Sequence, residues 1–356
     1  MFQQITEATV TIQAPKEEKI SAKLPVFYNP VMKFNRDTAV LLLKAIDNKE
    51  MQICDPLAGS GIRSIRFLTE LPKDKIRSIT INDYKEKATD IIKQNLEANK
   101  DRIINKQAEV NITNNEATTL ILNSTGFDYI DIDPFGTPNP FLDAASRRMA
   151  RNGILAVTAT DTSALAGTFP KACKRKYWAT PDRGPLMHES GLRILIRKCQ
   201  LIAAQYDKAL TPIFSYSKDH YMRIYFRCEK GKTKVDDMLK LHGEFNNTGP
   251  MWLGQLWDKK IAEKIYKSAA DLEYNTDARF LQTIRDESRI GTTGFHDIHN
   301  LCKRNKLPCP NFDDVMEEMK TKGHKVSRTH FTDFGIRSDI KEDDLLKIIK
   351  DVLKKN

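Results

Sequence analysis

The chain has 356 residues, 40% apolar and 29% charged; at roughly 100–200 residues per domain this suits two globular domains and excludes a disordered or collagen-like chain. Lys and Arg number 57 against 47 Asp and Glu, a formal balance of +10, which favours polyanionic partners. The six cysteines form no C-x-x-C pair, which argues against a disulfide framework or zinc ribbon and suits a reducing, cytoplasmic setting.

No membrane span is expected, since the longest apolar runs (39–43 and 153–157) fall far short of the ~18 residues of a spanning helix. The first residues lack the basic-then-apolar order of a signal peptide. The first 35 residues read as a polar, extended lead-in, with strand or loop at 10–12 and 22–30 interrupted by Pro25 and Pro30. Asn35 is placed to cap a helix from Arg36 to Ile46.

Strands and helices then alternate. Strands are expected at 51–57, 78–83, 108–113, 127–135 and 153–160, with helices at 61–71, 85–99 and 139–153, the last ended by Gly153. A long helix covers 191–206, and 210–228 reads as two strands around Lys218-Asp219. This is an α/β pattern: a parallel sheet with helices on both faces, closed by an antiparallel edge. Residues 229–250 are polar and read as a loop or linker. Helices are expected at 256–271, 276–288, 295–305 and 311–323, the last with Asn311 at its start and Gly323 at its end, then a hairpin over 324–340. Helices followed by a hairpin suggest a winged-helix arrangement.

The segment DPLAGSGIRS (55–64) leaves a strand and opens a helix. Gly59 suits a tight turn, Gly61 close approach of backbone to a ligand, and Ser64 close packing of helix on strand. Asp83 ends the second strand 22 residues beyond Gly61, where an acid accepts hydrogen bonds from a ribose; a helix cap is its ordinary role. Glu116 and Ala117 follow the third strand, where an adenine edge would lie, although a solvated loop acid is the better reading of Glu116 from its surroundings alone. Both a nicotinamide dinucleotide and S-adenosylmethionine suit such a pocket.

YIDIDPFGTPNP (129–140) is the most specific feature. Alternation puts Asp131 and Asp133 on one face near the carboxyl end of their strand, the crevice where open α/β sheets bind ligands. An Asp133-Pro134-Phe135 tip suits methyl transfer to an exocyclic amine. The carboxylate and the proline carbonyl accept from the N–H₂ group and orient it, which contributes proximity, while Phe135 stacks on the base for about 1–3 kcal/mol.

Six segments, FYNPVMKFNRD (27–37), DPLAGSGIRSIRF (55–67), IDPFGTPNPFLDAA (132–145), VTATDTSALAG (157–167), GPMWLG (249–254) and THFTDFGIRSD (329–339), resemble the archaeal type of the tRNA guanine-26 N2-dimethyltransferase family, in order along nearly the whole chain. The resemblance implies a Rossmann-like class I methyltransferase domain over 1–250 and a family-specific tRNA-binding domain over 251–356. It also implies S-adenosylmethionine as donor and tRNA as partner. On this resemblance Arg36, Arg66, Asp83, Glu116 and Ala117 match the cofactor site together with Gly59 and Gly61, with Arg63 competing with Arg66. Asp133, Pro134 and Phe135 are the catalytic tip, and Phe27 shapes the base pocket. Some relatives carry a cysteine-rich zinc insertion before the GP-x-W-x-G segment; the corresponding 229–248 has no cysteine, and no metal is expected.

KACKRKYW (171–178) interleaves Lys171, Lys174, Arg175 and Lys176 with Tyr177 and Trp178, a pattern suited to tracking phosphates, although a solvated basic face has the same composition. His296, His299 and Cys302 spread around a helix and are a poor metal set. The rival functions are the same chemistry on another amine, a nicotinamide-dependent oxidoreductase, and a tRNA-binding protein without activity.

Overall fold

The structure is a computed structural model that describes residues 2–16, 24–271 and 277–355. Two positions of the 22–30 segment and the 276 start of one expected helix lie outside the described residues. A hairpin of β1 (Phe2–Glu7) and β2 (Val10–Pro15) opens the chain. After α1 (Lys33–Ala45) comes a βα alternation: β3 (Met51–Asp55), α2 (Ile62–Glu70), β4 (Ile76–Asn82), α3 (Glu86–Ala98), β5 (Glu109–Thr113), α4 (Ala117–Asn123), β6 (Phe127–Ile132), α5 (Asn139–Arg148) and β7 (Met149–Ala159). Helices α6 (Thr162–Leu165), α7 (Pro170–Tyr177) and α8 (Met187–Ala204) lead to the hairpin of β8 (Lys208–Lys218) and β9 (Tyr221–Lys230).

These strands form one seven-stranded sheet of order β5-β4-β3-β6-β7-β9-β8. The first five strands pair in parallel, and β9 runs antiparallel to both neighbours. The order reverses between β3 and β6, which opens a crevice at their carboxyl ends. Parallel strands are covered on both faces and therefore read as near-continuous apolar runs; Met51, Ile53 and Cys54 of β3 and Ile130 and Ile132 of β6 are all buried. The β1–β2 hairpin packs Val10, Ile12 and Ala14 on Ile62 and Ile65 of α2. Asn95 of α3 and Asn99 at its C-terminal cap close its free backbone, bonding Gln13 and Thr11.

The chain continues through α9 (Lys232–Leu239), a hairpin of β10 (His242–Phe245) and β11 (Thr248–Trp252), α10 (Lys259–Asp271) and α11 (Ala278–Glu287). Then come β12 (His296–Asp297), α12 (Ile298–Arg304), α13 (Phe312–Thr321), β13 (Val326–Thr329), β14 (Thr332–Ser338) and α14 (Glu342–Lys355). From α11 to β14 the succession is helix, strand, helix, helix, strand, strand, with sheet order β12-β14-β13, as in a winged helix. The main core runs on past residue 250 to Trp257, Ile261, Ile265, Leu281 and Ile284. A separate core gathers Ile298, Leu301, Val315, Met319, Ile336, Leu345 and Ile349. A division at 250/251 therefore falls within the first core.

The two units are clamped by buried charge. Arg337 of β14 reaches Glu189 of α8 at 2.6 Å and Glu287 of α11 at 2.9 Å. Arg193 binds Glu189 at 2.8 Å, and His330 Nδ1 lies against Glu287.

Four expectations are corrected. Asn35 caps nothing: Asn29 accepts from Val31 N, Pro30 opens a 3-10 turn, and α1 is under way by Lys33, so Asn35 lies buried inside the helix. Gly153 does not end a helix, because α5 stops at Arg148 and the chain turns directly into β7. A Cβ at Gly153 would sit 2.7 Å from Met149 Cε and 3.0 Å from the Asp128 carbonyl, so close approach of backbone explains the glycine. Residues 229–250 hold α9 and a hairpin; buried Val235 and Met238 anchor an otherwise polar helix. Helices α4, α7 and α14 were not anticipated.

Candidate active site

Three segments meet at the sheet's switch point. The Gly59–Gly61 turn leaves β3 with φ of +55° and +76°. A Cβ on Gly59 would stand 2.6 Å from the Phe27 carbonyl, and one on Gly61 3.0 Å from Ile92. The bare backbone lets the 27–30 segment lie across the turn, where the Ser60 amide donates to the Phe27 carbonyl at 3.0 Å. The cleft between them is lined by Phe27, Tyr28, Arg36, Asp55, Arg63 and Asp133, among others.

Asp133 follows β6 directly. Its Oδ2 forms a short ion pair with Arg63 Nη2, and Oδ1 has no partner among the described residues. Arg63 is fixed in turn, donating from Nη1 to Asn35 Oδ1 at 3.0 Å and standing 3.4 Å from Asp131. Asn35 donates to Thr158 Oγ1 at 3.1 Å. Asp131 is fully buried and held by both terminal nitrogens of Arg223, at 2.8 and 2.7 Å, and by the Tyr129 hydroxyl at 2.6 Å. Burial works against its charge, yet Arg223 and Arg63 keep its carboxyl below the ordinary range. Asp131 is thus a strut under Asp133, and Asn35, Thr158 and Arg223 belong to the same support.

Asp55 lies beneath the turn, bonded by Ser64 Oγ at 2.8 Å. Burial pushes its carboxyl up to about 7, reinforced by Asp131 and Asp133 and opposed by Arg63 and Ser64.

The tip itself is clasped from behind. Gly136 N donates to Thr160 Oγ1 at 2.7 Å and its carbonyl accepts from Thr160 N at 2.9 Å. Tyr177 of α7 reaches Asp161 at 2.6 Å and Thr137 at 2.9 Å. Phe135 is left 48% exposed. Its ring meets half-buried Phe27 edge-on, with centroids 4.2 Å apart.

The expected cofactor residues divide. Asp83 sits at the end of β4 and accepts from the Gly59 and Lys85 amides, each at 2.9 Å; burial raises its pKa, partly offset by those two bonds. Glu116 is the N-cap of α4, accepting from Thr118 N and Thr119 N. Slight burial notwithstanding, these bonds lower its pKa. Ala117 is buried behind it. Arg36 lines the cleft but spends its guanidinium on Glu7, at 2.8 and 2.6 Å, and on the Asn29 carbonyl. Arg66 is fully buried among Glu7, Asp37 and Glu70, whereas Arg63, one turn earlier, lines the cleft beside Arg36.

Lys171, Lys174, Arg175 and Lys176 are exposed on α7, the helix whose Tyr177 grips the tip. Lys176 also pairs with Asp161 at 3.1 Å. Among the described residues no group of three His, Cys, Asp or Glu side chains is placed to hold a metal ion, and no helix is long and apolar enough to cross a membrane.

The family model for N2,N2-dimethylguanosine tRNA methyltransferases matches residues 7–245 and 239–350. A tRNA (guanine(26)-N(2))-dimethyltransferase of Methanosphaera stadtmanae is 34% identical over 98% of this chain and 96% of its own length. A tRNA (guanine(26)-N(2)/guanine(27)-N(2))-dimethyltransferase of Aquifex aeolicus is 36% identical over the same shares. The solved structure of Trm1 from Pyrococcus horikoshii with S-adenosyl-L-methionine superimposes with a TM-score of 0.88 at 33% identity, covering 98% of this chain and 99% of that one. The chain therefore belongs to the N2,N2-dimethylguanosine tRNA methyltransferase family.

Proposed function

We propose that this chain methylates the exocyclic N2 of guanine 26 in tRNA, once or twice, with S-adenosylmethionine as donor and the cytoplasm as its place of action. The observation that carries the reading is Asp133: its Oδ2 is tied down by Arg63 while Oδ1 has no partner among the described residues, in a cleft that Phe27 also lines.

The residues fit the donor. Asp83 at the end of β4 keeps lone pairs for ribose hydroxyls beyond the two amides it accepts, at the turn whose glycines let the 27–30 segment close over it. Gly59, Gly61, Asp83, Arg36, Glu116 and Ala117 would hold it, with Arg63 in the place expected of Arg66. When bound, S-adenosylmethionine supplies a methyl group made electrophilic by its sulfonium sulfur.

The chain's own contribution is orientation. A guanine amine is a weak nucleophile because its lone pair is conjugated with the ring. Asp133 Oδ1 and the Pro134 carbonyl accept its two N–H bonds and turn the lone pair toward the donor side of the cleft. The base must first leave its stack, at a cost of a few kcal/mol, and Phe135 and Phe27 offer the replacement surface. Once the nitrogen has become positive, Asp133 Oδ1 takes its proton. Lys174, Arg175 and Lys176 hold phosphates near the tip. We assign methyl transfer to residues 1–250 and tRNA docking to 251–356, with α10 and α11 packed on the first core.

The test is the nucleoside formed. Incubating the full chain with donor and an unmodified tRNA transcript should yield N2-methylguanosine and N2,N2-dimethylguanosine at position 26, read by mass spectrometry of digested fragments. A methylated adenosine, or tRNA bound with no methyl incorporated, would overturn the reading.

A further inference from the structure

We propose that the C-terminal unit holds the tRNA backbone in a basic groove between α11, the end of α13 and β13, and not along the outer face of α13. The inference rests on tRNA being the substrate. In helix-turn-helix readers the second helix of the pair enters the nucleic-acid groove, and here that helix is α13. Its outer face is acidic: Asp313, Asp314 and Glu317 are exposed on it, and Asp313 is answered by Arg328 and Glu318 by Lys355 at 2.8 Å. Acids in a first turn favour the helix dipole, but they repel phosphates.

The cations lie around the corner. A groove of about 700 Å³ is lined by Arg279, Arg289, Lys320, Lys325 and Arg328, and its single carboxylate, Asp286, is engaged by Arg285 at 2.7 Å. Arg289 is held by Glu263 at 3.0 Å and Arg328 by Asp313. Arg279, Lys320 and Lys325 make no ion pair with any described residue. Thr283 and Ser327 also line the groove, their hydroxyls donating to the Arg279 and Arg328 carbonyls at 3.0 and 2.8 Å. Unpaired Arg and Lys tips of this kind bind phosphate oxygens without reading sequence. The unit thus supplies register and affinity on the backbone and leaves base recognition to the cleft.

The test uses the full chain with the combined Arg279→Ala, Lys320→Ala and Lys325→Ala changes, and an unmodified tRNA transcript followed by fluorescence anisotropy at several salt concentrations. Affinity should fall about tenfold or more at low salt, and the slope of log K against log salt should flatten by about two to three, as the loss of that many phosphate contacts requires. S-adenosylhomocysteine affinity and the melting temperature, read in parallel, should match those of the parent chain. Glu317→Gln on α13 should leave tRNA affinity within twofold of the parent or raise it. A triple variant that binds tRNA within twofold of the parent overturns the proposal, as does loss of binding to poly-glutamate alone, which would make the groove an acidic-peptide site. Absence of methylated guanosine from the parent chain would overturn the functional reading instead, and the anisotropy series would still report on the groove.

Discussion

Two clusters in this molecule are built from the same groups and do different things. Under the C-terminal unit, Glu189 and Glu287 have both oxygens engaged: Glu189 by Arg193, Arg337 and the Gly294 amide, Glu287 by Arg337 and His330. Beneath the cleft, Asp131 is equally closed, but the chain of pairs ends at Asp133, whose second oxygen is open. A carboxylate with every lone pair assigned is a strut. The same group at the end of a series of struts becomes a positioned acceptor. Buried pairs of this kind add little net stability over apolar packing, but removing one partner is costly.

That contrast sets the first two predictions. Arg337→Ala strips both closed carboxylates of their shared cation inside the protein and should cost about 3–5 kcal/mol of stability, read by urea denaturation. A loss below about 1 kcal/mol would mean that water already reaches the network and the clamp is not closed. Asp133→Asn keeps the shape and removes the charge. It should lower kcat about a hundredfold, about 2.7 kcal/mol of barrier, while S-adenosylhomocysteine affinity holds and stability shifts less than for Arg337→Ala. An unchanged kcat would place Asp133 among the struts.

Much of this was legible locally. The Asp133-Pro134-Phe135 tip could be placed because two-residue alternation and a proline mark the end of a buried strand, and Gly59 and Gly61 because a strand and a helix flank them. The hairpin about Lys218-Asp219 and the capped helix at Asn311 follow from the same short-range signals. What escaped depends on partners far along the chain. Glu7 pairs with Arg36 and Arg66 from 29 and 59 residues away, a pairing no local signal announces. Arg63 and Arg66 lie three apart on one helix, so spacing alone could not divide them. Helix α7 was hidden by its charge: only Cys173 and Tyr177, four apart, are buried on it. Asn35 looked like a cap because the proline that starts the helix stands five residues earlier.

The third prediction sets the two clusters against each other by pH. Glu189 is buried, yet Arg337 and Arg193 hold its carboxyl down at about 2, against an ordinary 4.5. Its folded pKa is depressed, so its contribution is complete above about pH 4.5 and is lost as pH falls toward 2. Asp55 runs the other way. Burial, with Asp131 and Asp133, holds its carboxyl at about 7 against an ordinary 3.8, so the native state binds its proton more tightly than the unfolded chain does. Its contribution is complete below about pH 4 and drains away as pH climbs to 7. Between pH 5.5 and 7 this one group should remove roughly 1.5 kcal/mol. Asp55→Asn has no proton to lose, so its urea midpoint should gain on the parent's across that interval, whereas the deficit of Glu189→Gln should stay level there and shrink only in acid. A difference between Asp55→Asn and the parent that is flat from pH 5.5 to 7 would mean that Arg63 outweighs burial at the turn, and that the cleft's inner carboxylate is charged like the struts around it.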